Sequence, residues 1–261
     1  MSKAKRDIVK ILRMLLWAVV LLTGTSMVLG AMQRKENAPI HDVVINIEPL
    51  ESGDFLINEE DIPLILEKRF AHPITAFPVG KLDVQRLERV LEEDPFVKSA
   101  EAYIDAEDRI NIELVQREPI LRVMDNNGLN YYLDKEGNQM PPSEHYAVRV
   151  RVTTGNLPPY EPGFLEEKDH LLRQVFALNE LLREDPFLDA LVEQIYINKR
   201  GEFILSPKVG RQTILFGRYQ KAEEKLSRLK TFYREGLPYK GWQAYSSFDF
   251  RYEGQVVCKK R

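Results

Sequence analysis

Apolar and polar positions divide the chain into one long uncharged run and a succession of short amphipathic segments. The run is Met14 to Met32, nineteen residues without a charge. As a helix it reaches roughly 29 Å at about 1.5 Å per residue, close to the roughly 30 Å of a bilayer's hydrocarbon core. After it, Val43-Val44-Ile45-Asn46-Ile47 is β-branched and lies between Pro39 and Pro49, which predicts a strand. Ile62, Ile65, Leu66 and Phe70 keep helical spacing behind Glu59-Glu60-Asp61. Because Pro63 is tolerated only in a first turn, that helix should begin near Asp61. His72 to Gly80 reads as a loop. Asp83 reads as an N-cap for a second helix, with Val84, Leu87, Val90 and Leu91 on one stripe, stopped by Pro95. Val97–Ile104 and Arg109–Val115 flank a turn at residues 105–108. In the second, Ile110, Ile112 and Leu114 alternate with polar residues, as in a strand with one buried face.

From about Asn126 the texture becomes short strands with turn punctuation. Strands are expected at 129–133, 147–153, 194–198, 203–205, 212–216, 246–252 and 255–259, the last two joined by a tight turn at Glu253-Gly254. Two amphipathic helices are expected over roughly 165–183 and 218–235, the second ended by Gly236. The whole reads as an α+β protein. The expected organisation is a tail (1–13), a transmembrane helix (14–33), a β-α-α-β-β domain (40–123) and a mostly antiparallel β domain with two helices (124–261).

Charge orients this scheme. Lys3, Lys5, Arg6, Lys10 and Arg13 precede the apolar run against one acid, Asp7, which places the N-terminus in the cytoplasm and exports the rest. A cleaved signal peptide, with Val28-Leu29-Gly30 as its site, is the alternative, but such apolar regions usually run about 7–15 residues. The only cysteine is Cys258, so there is no lipoprotein attachment near the N-terminus and no intrachain disulfide. Beyond residue 13 there are 32 basic and 39 acidic residues, a net −7 that argues against nucleic acid as a partner.

Candidate chemistry is sparse. His41, His72, His145 and His170 show no metal-type spacing, and Cys258 has no histidine near it in sequence. Neither a glycine-rich phosphate loop nor a G-x-S-x-G motif occurs. Glu92-Glu93-Asp94 and Glu166-Glu167 fall on expected helix surfaces. No catalytic residue, cofactor site or metal site is expected. The last strand of a chain is often a sheet edge, whose unpaired N–H and C=O groups can take another strand. Gln255-Val256-Val257-Cys258 is such a segment, and Lys259-Lys260-Arg261 after it would guard against self-pairing. Phe248 and Phe250 read as core; Tyr252, near the turn, reads as a contact.

Four blocks resemble the FtsQ/DivIB bacterial cell-division family. Residues 82–119 match the end of its POTRA domain, from Leu82-Asp83-Val84 through Asp94-Pro95-Phe96-Val97-Lys98-Ser99-Ala100 to Arg117-Glu118-Pro119. Tyr132-Leu133-Asp134-Lys135-Glu136-Gly137 resembles the hairpin that opens its β domain, and Val152-Thr153-Thr154-Gly155 its threonine-glycine step. Phe250-Arg251-Tyr252 with Gln255-Val256-Val257 is similar to its closing strand pair.

This resemblance implies a non-catalytic scaffold of the divisome, single-pass in the inner membrane with its body in the periplasm, at the septum. Its implied partners are FtsB/FtsL-type coiled coils and FtsK-, FtsW- and FtsN-type proteins. The FtsB-type partner would bind by strand addition at Phe250, Arg251, Tyr252, Gln255, Val256 and Val257. It further implies a part for the POTRA-like domain, with an exposed edge at Val43–Ile47, in recruitment to the division site. The alternative is an outer-membrane assembly or secretion component, which would carry several POTRA repeats or a C-terminal barrel. Its tail of about thirteen residues, shorter than in many members, argues against a cytoplasmic docking role, and with its end at Arg261, just past the last strand, no partner contact through a C-terminal extension is expected.

Overall fold

The computed structural model describes residues 3–241 and 243–261; Met1 and Ser2, the start of the expected tail, lie outside the described residues. Helix α1 (Lys3–Glu36) contains the apolar run. Its part Met14–Glu36 is long and apolar enough to cross a membrane, and none of it is buried in the protein. The hydroxyls of Thr23 and Thr25 donate to the carbonyls of Val19 and Leu21, each at 2.9 Å, so neither needs water in an apolar medium.

The chain forms two compact units, Met1–Pro49 with Ile57–Gln116 and Leu50–Leu56 with Arg117–Arg261. Beyond α1, the first unit runs β1 (Asp42–Glu48), α2 (Asp61–Phe70), α3 (Val84–Glu92), β2 (Val97–Ile104) and β3 (Arg109–Gln116). Its sheet has the order β1-β3-β2, with β1 parallel and β2 antiparallel to β3. The expected capping residue is in place: the Asp83 carboxylate accepts from the N–H of Arg86 at 2.9 Å. Pro63 falls in the first turn of α2, where its missing N–H costs no helical bond. Ile62, Leu66, Leu87 and Leu91 from the helices meet Ile110, Ile112 and Leu114 from the sheet in one core. Gln116 closes the end of that sheet, donating from Nε2 to the carbonyl of Glu48 at 2.8 Å.

Strands of the second unit are β4 (Pro119–Asp125), β5 (Asn130–Asp134), β6 (Gln139–Met140), β7 (Arg151–Gly155), β8 (Val192–Ile197), β9 (Phe203–Pro207), β10 (Thr213–Gly217), β11 (Tyr245–Asp249) and β12 (Val257–Lys260). They form one open sheet in the order β12-β11-β10-β9-β8-β7-β4-β5-β6. Five of its eight pairings are antiparallel and three parallel, so the sheet is mixed. Helices α4 (Leu171–Glu184), α5 (Pro186–Leu191), α6 (Ala222–Thr231) and α7 (Leu237–Lys240) contribute to a single core with it.

Several boundaries differ from the sequence reading; the strand expected at 147–153 begins only at Arg151, and the helix expected from about 218 begins at Ala222. Residues 119–123, read as the end of the first domain, are strand β4 of the second sheet, paired with β5 and β7. Segment 165–170 is not helical: the chain turns at Gly163, Phe164 enters the core, and His170 is extended before α4 starts. The helix expected to stop at Gly236 instead widens into a π-turn over Phe232–Gly236 and continues as α7. That widening keeps Tyr233 and Leu237 in the core.

Two local devices hold the second sheet. Gly155 has φ +107°, and a Cβ there would lie 2.1 Å from the carbonyl oxygen of Ile197, so only glycine fits where β7 meets β8. Asp134, fully buried, closes the turn after β5 by accepting from the N–H groups of Glu136 at 3.0 Å and Asn138 at 2.7 Å. Its second oxygen accepts from Arg117 at 3.0 Å, which satisfies the buried charge.

Candidate partner-binding edge

Strand β12 ends the nine-stranded sheet. It pairs antiparallel with β11 on one side, Asp249 opposite Val257 and Phe248 opposite Cys258. Among the described residues no strand pairs with its other side, which so presents a row of backbone N–H and C=O groups, the general property of an edge strand. Val257, on this strand, is 46% exposed.

The link between β11 and β12 is not a two-residue turn. Residues 250–256 form a longer connection, because Phe250 continues toward β10, donating its N–H to the carbonyl of Leu215 at 2.9 Å. The Phe250 ring is fully buried, edge-on to Phe232. Phe250 is therefore core, as its place in the sequence suggests, and not a contact as the family resemblance implies. Of the other five implied contacts, Arg251, Tyr252, Gln255 and Val256 lie in the connection and Val257 alone lies in β12. Tyr252 is 50% exposed, while Val256 is half-buried against the core. Arg251, itself exposed, is paired with Asp249, its Nη2 2.6 Å from Oδ2. Its side chain covers Gly217, where a Cβ would lie 2.7 Å from the Arg251 Cγ. Burial works to raise the Asp249 carboxyl, but the hydrogen bonds from Arg251 outweigh it and hold the group below the usual carboxylate range.

A residue that the sequence does not advertise organises this connection. Arg228, on α6, donates from Nη1 to the carbonyls of Tyr252 at 2.6 Å and Gln255 at 3.0 Å. Nη2 reaches the carbonyl of Phe250 at 3.4 Å. One guanidinium thus gathers three carbonyls of the segment that leads into the edge strand. A second tie is the ion pair between Lys221 and Glu253, both exposed. No residue spacing encodes the Arg228 contact, since its partners are main-chain atoms distant in sequence. A groove of about 480 Å³ runs alongside, between Thr231 and Phe232 of the helix and Gln255 and Val256 of the connection.

Elsewhere the candidate chemistry is dispersed. His41, His72 and His145 are exposed, and His170 lies against the ring of Phe164 at 6.0 Å. Among the described residues there is no group of three or more His, Cys, Asp or Glu able to hold a metal ion. Of the carboxylates flagged in sequence, Glu92 accepts from the N–H of Ala100 at 3.3 Å and Glu93 pairs with Arg69 at 2.9 Å, while Glu166 and Glu167 are exposed in the non-helical segment before α4. Asp94 accepts from the N–H of Phe96 at 2.9 Å, at the stop imposed by Pro95. Cys258 is half-buried, and burial pushes its thiol up, away from the reactive thiolate.

Comparison with known proteins agrees with this architecture. A family pattern described as "FtsQ/DivIB, C-terminal related" matches residues 118–259, and one described as a POTRA-like domain matches residues 40–115. A protein named cell division protein FtsQ from Chloroflexus aurantiacus is 29% identical over 182 residues, 65% of this chain and 61% of its own. Another of that name, from Rhodothermus marinus, is 28% identical over 171 residues, 64% of this chain and 61% of its own. The matched region thus spans about three-fifths of each relative's length. With more than half of its residues matched by the C-terminal pattern, behind a POTRA-like unit and an apolar helix that fits a single-pass membrane protein, the chain belongs to the FtsQ/DivIB family of cell-division proteins.

Proposed function

We propose that this chain is a non-catalytic scaffold of the bacterial division machinery that captures a membrane-anchored coiled-coil partner of the FtsB/FtsL type by strand addition to β12. The single observation that carries this reading is the position of β12 as the terminal strand of a nine-stranded sheet, with Val257 exposed on it. Added main-chain hydrogen bonds would supply affinity, and Tyr252 and Val257 would read alternate side chains of the incoming strand. The exported body faces the periplasm, the tail stays in the cytoplasm, and the protein gathers other division proteins, FtsK-, FtsW- and FtsN-type among them, at the septum. Lys3, Lys5, Arg6, Lys10 and Arg13 ahead of the span support that orientation.

The test is Val257→Pro. Val257 faces Asp249 in the ladder, so proline there removes the N–H on the β11 side and resists the extended conformation that an incoming strand needs from β12. Co-purification of the coiled-coil partner from gently solubilised membranes should be lost, while thermal unfolding of the body stays within a few degrees of the parent. Undiminished co-purification would overturn strand addition at this edge.

A further inference from the structure

The acidity of the exported body resides in one unit. Residues 37–49 and 57–116 carry seven Lys and Arg against sixteen Asp and Glu, a net −9, whereas Leu50–Leu56 with Arg117–Arg261 carries 23 against 22. A charge of that size on so small a unit creates a field that attracts cations and repels anionic surfaces within about a Debye length, near 10 Å at moderate salt.

Within the same unit, β1 is a lateral strand of the three-stranded sheet. It therefore offers a second free backbone row. Next to it, between β1, α2 and the loop at Pro73–Thr75, lies a groove of about 240 Å³. Its floor is Ile62, Leu66 and Ile74, all buried; its flank is Val43 and Ile45, half-buried; and Glu67 stands exposed at its rim. An apolar trough beside an open strand suits a ligand with extended backbone and alternating side chains, one set apolar and the other wet.

We propose that the β1 edge and this groove receive an extended, basic segment of a partner protein. Its backbone pairs with β1, its apolar side chains enter the groove over Ile62, Leu66 and Ile74, and its Lys or Arg residues lie in the field of Glu67 and the acidic unit around it. The charge selects the occupant. A second copy of β1 would bring Asp42 and Glu48 against their own kind, and an anionic lipid surface would be repelled. The proposal concerns a surface other than β12 and stands whether or not strand addition occurs there.

The full-length chain in nanodiscs of uncharged phosphatidylcholine is titrated against a fluorescent decapeptide that alternates Lys and Val, and against its Glu/Val counterpart, by anisotropy. The Lys/Val peptide should bind at least about 30-fold tighter, and its affinity should fall as salt rises. Glu67→Lys, at an exposed position, should weaken it about fivefold or more with unchanged thermal unfolding. Glu193→Lys, the same charge change at an exposed site of the second unit, should leave binding as it was. Equal binding of the two peptides, or equal loss in both variants, would overturn the proposal.

Discussion

Replacing Arg228 by alanine should loosen the C-terminal edge while leaving the rest of the sheet intact. The guanidinium holds the carbonyls of Tyr252, Gln255 and Phe250 at 2.6, 3.0 and 3.4 Å. A hydrogen bond to a charged group is worth about 1.5–3 kcal/mol. Here the acceptors are reachable by water once the side chain is removed, and the longest contact adds little, so the net loss is about 2 kcal/mol for the connection as a whole. At about 1.4 kcal/mol per tenfold, opening of residues 250–260 becomes roughly 30-fold more frequent. Amide hydrogen exchange reads this directly, because protection in a locally opening segment follows its opening free energy. The β12 amides that bond to β11 should exchange about 30-fold faster in R228A, while those of β8 and β9 keep their rates. Arg228→Lys, which can reach one or two of the carbonyls, should fall between. Unchanged exchange in β12 of R228A would refute the view that α6 holds the edge in place, and would leave the pairing with β11 as its sole support.

Other expectations follow from single sites. Gly155→Ala combines φ +107° with a Cβ set 2.1 Å from the Ile197 carbonyl, so the second unit should lose about 3 kcal/mol or more, seen as a lower midpoint in thermal unfolding. A midpoint within a degree of the parent would mean β7 and β8 can separate at no cost. Burial, then the charge of Asp125, pushes the Tyr131 hydroxyl up to about 12, and among the described residues the hydroxyl has no hydrogen-bond partner. The unfolded chain ionises near pH 10, so the stability this group gives is intact below pH 10 and lost between pH 10 and about 12. Tyr131→Phe should flatten that part of the pH–stability curve in denaturant titrations; identical curves for parent and variant would contradict it.

Local rules made the first unit readable from sequence. Asp83 and Pro63 mark helix starts by what they do to N–H groups, and the alternation at Ile110, Ile112 and Leu114 marks a one-faced strand, each within a few residues of chain. Tertiary contacts decided what could not be read. Ile120, Leu121 and Val123 form a run that would suit either sheet, and only their pairing with β5 and β7 assigns them. Leu50–Leu56 belongs with the second unit through contacts over 80 residues away in sequence, Glu51 with Lys135 at 2.6 Å and Ser143 with the Leu56 carbonyl at 2.6 Å. Arg151 sits in an alternation of valine and arginine, where arginine reads as the wet side. It is buried all the same, bonded to Asn179 at 2.6 Å, Asp189 at 2.8 Å and the Val192 carbonyl at 2.9 Å. At the candidate site, the edge position of the last strand was readable because a final strand is often lateral. The seven-residue connection before it was not, since Phe250 is drawn inward by Leu215 and the core, and Arg228 reaches it from another element.

The central claim is that β12 is the surface on which the coiled-coil partner pairs, and site-specific photocrosslinking in dividing cells tests it most directly. A photoreactive residue is placed in turn at Tyr252 and Val257, and at Gln139 on β6, the opposite edge of the same sheet. The account expects adducts with a small single-pass coiled-coil protein from positions 252 and 257 and none from 139. Adducts from 139 alone, or none from 252 and 257 in cells that divide normally, would contradict it.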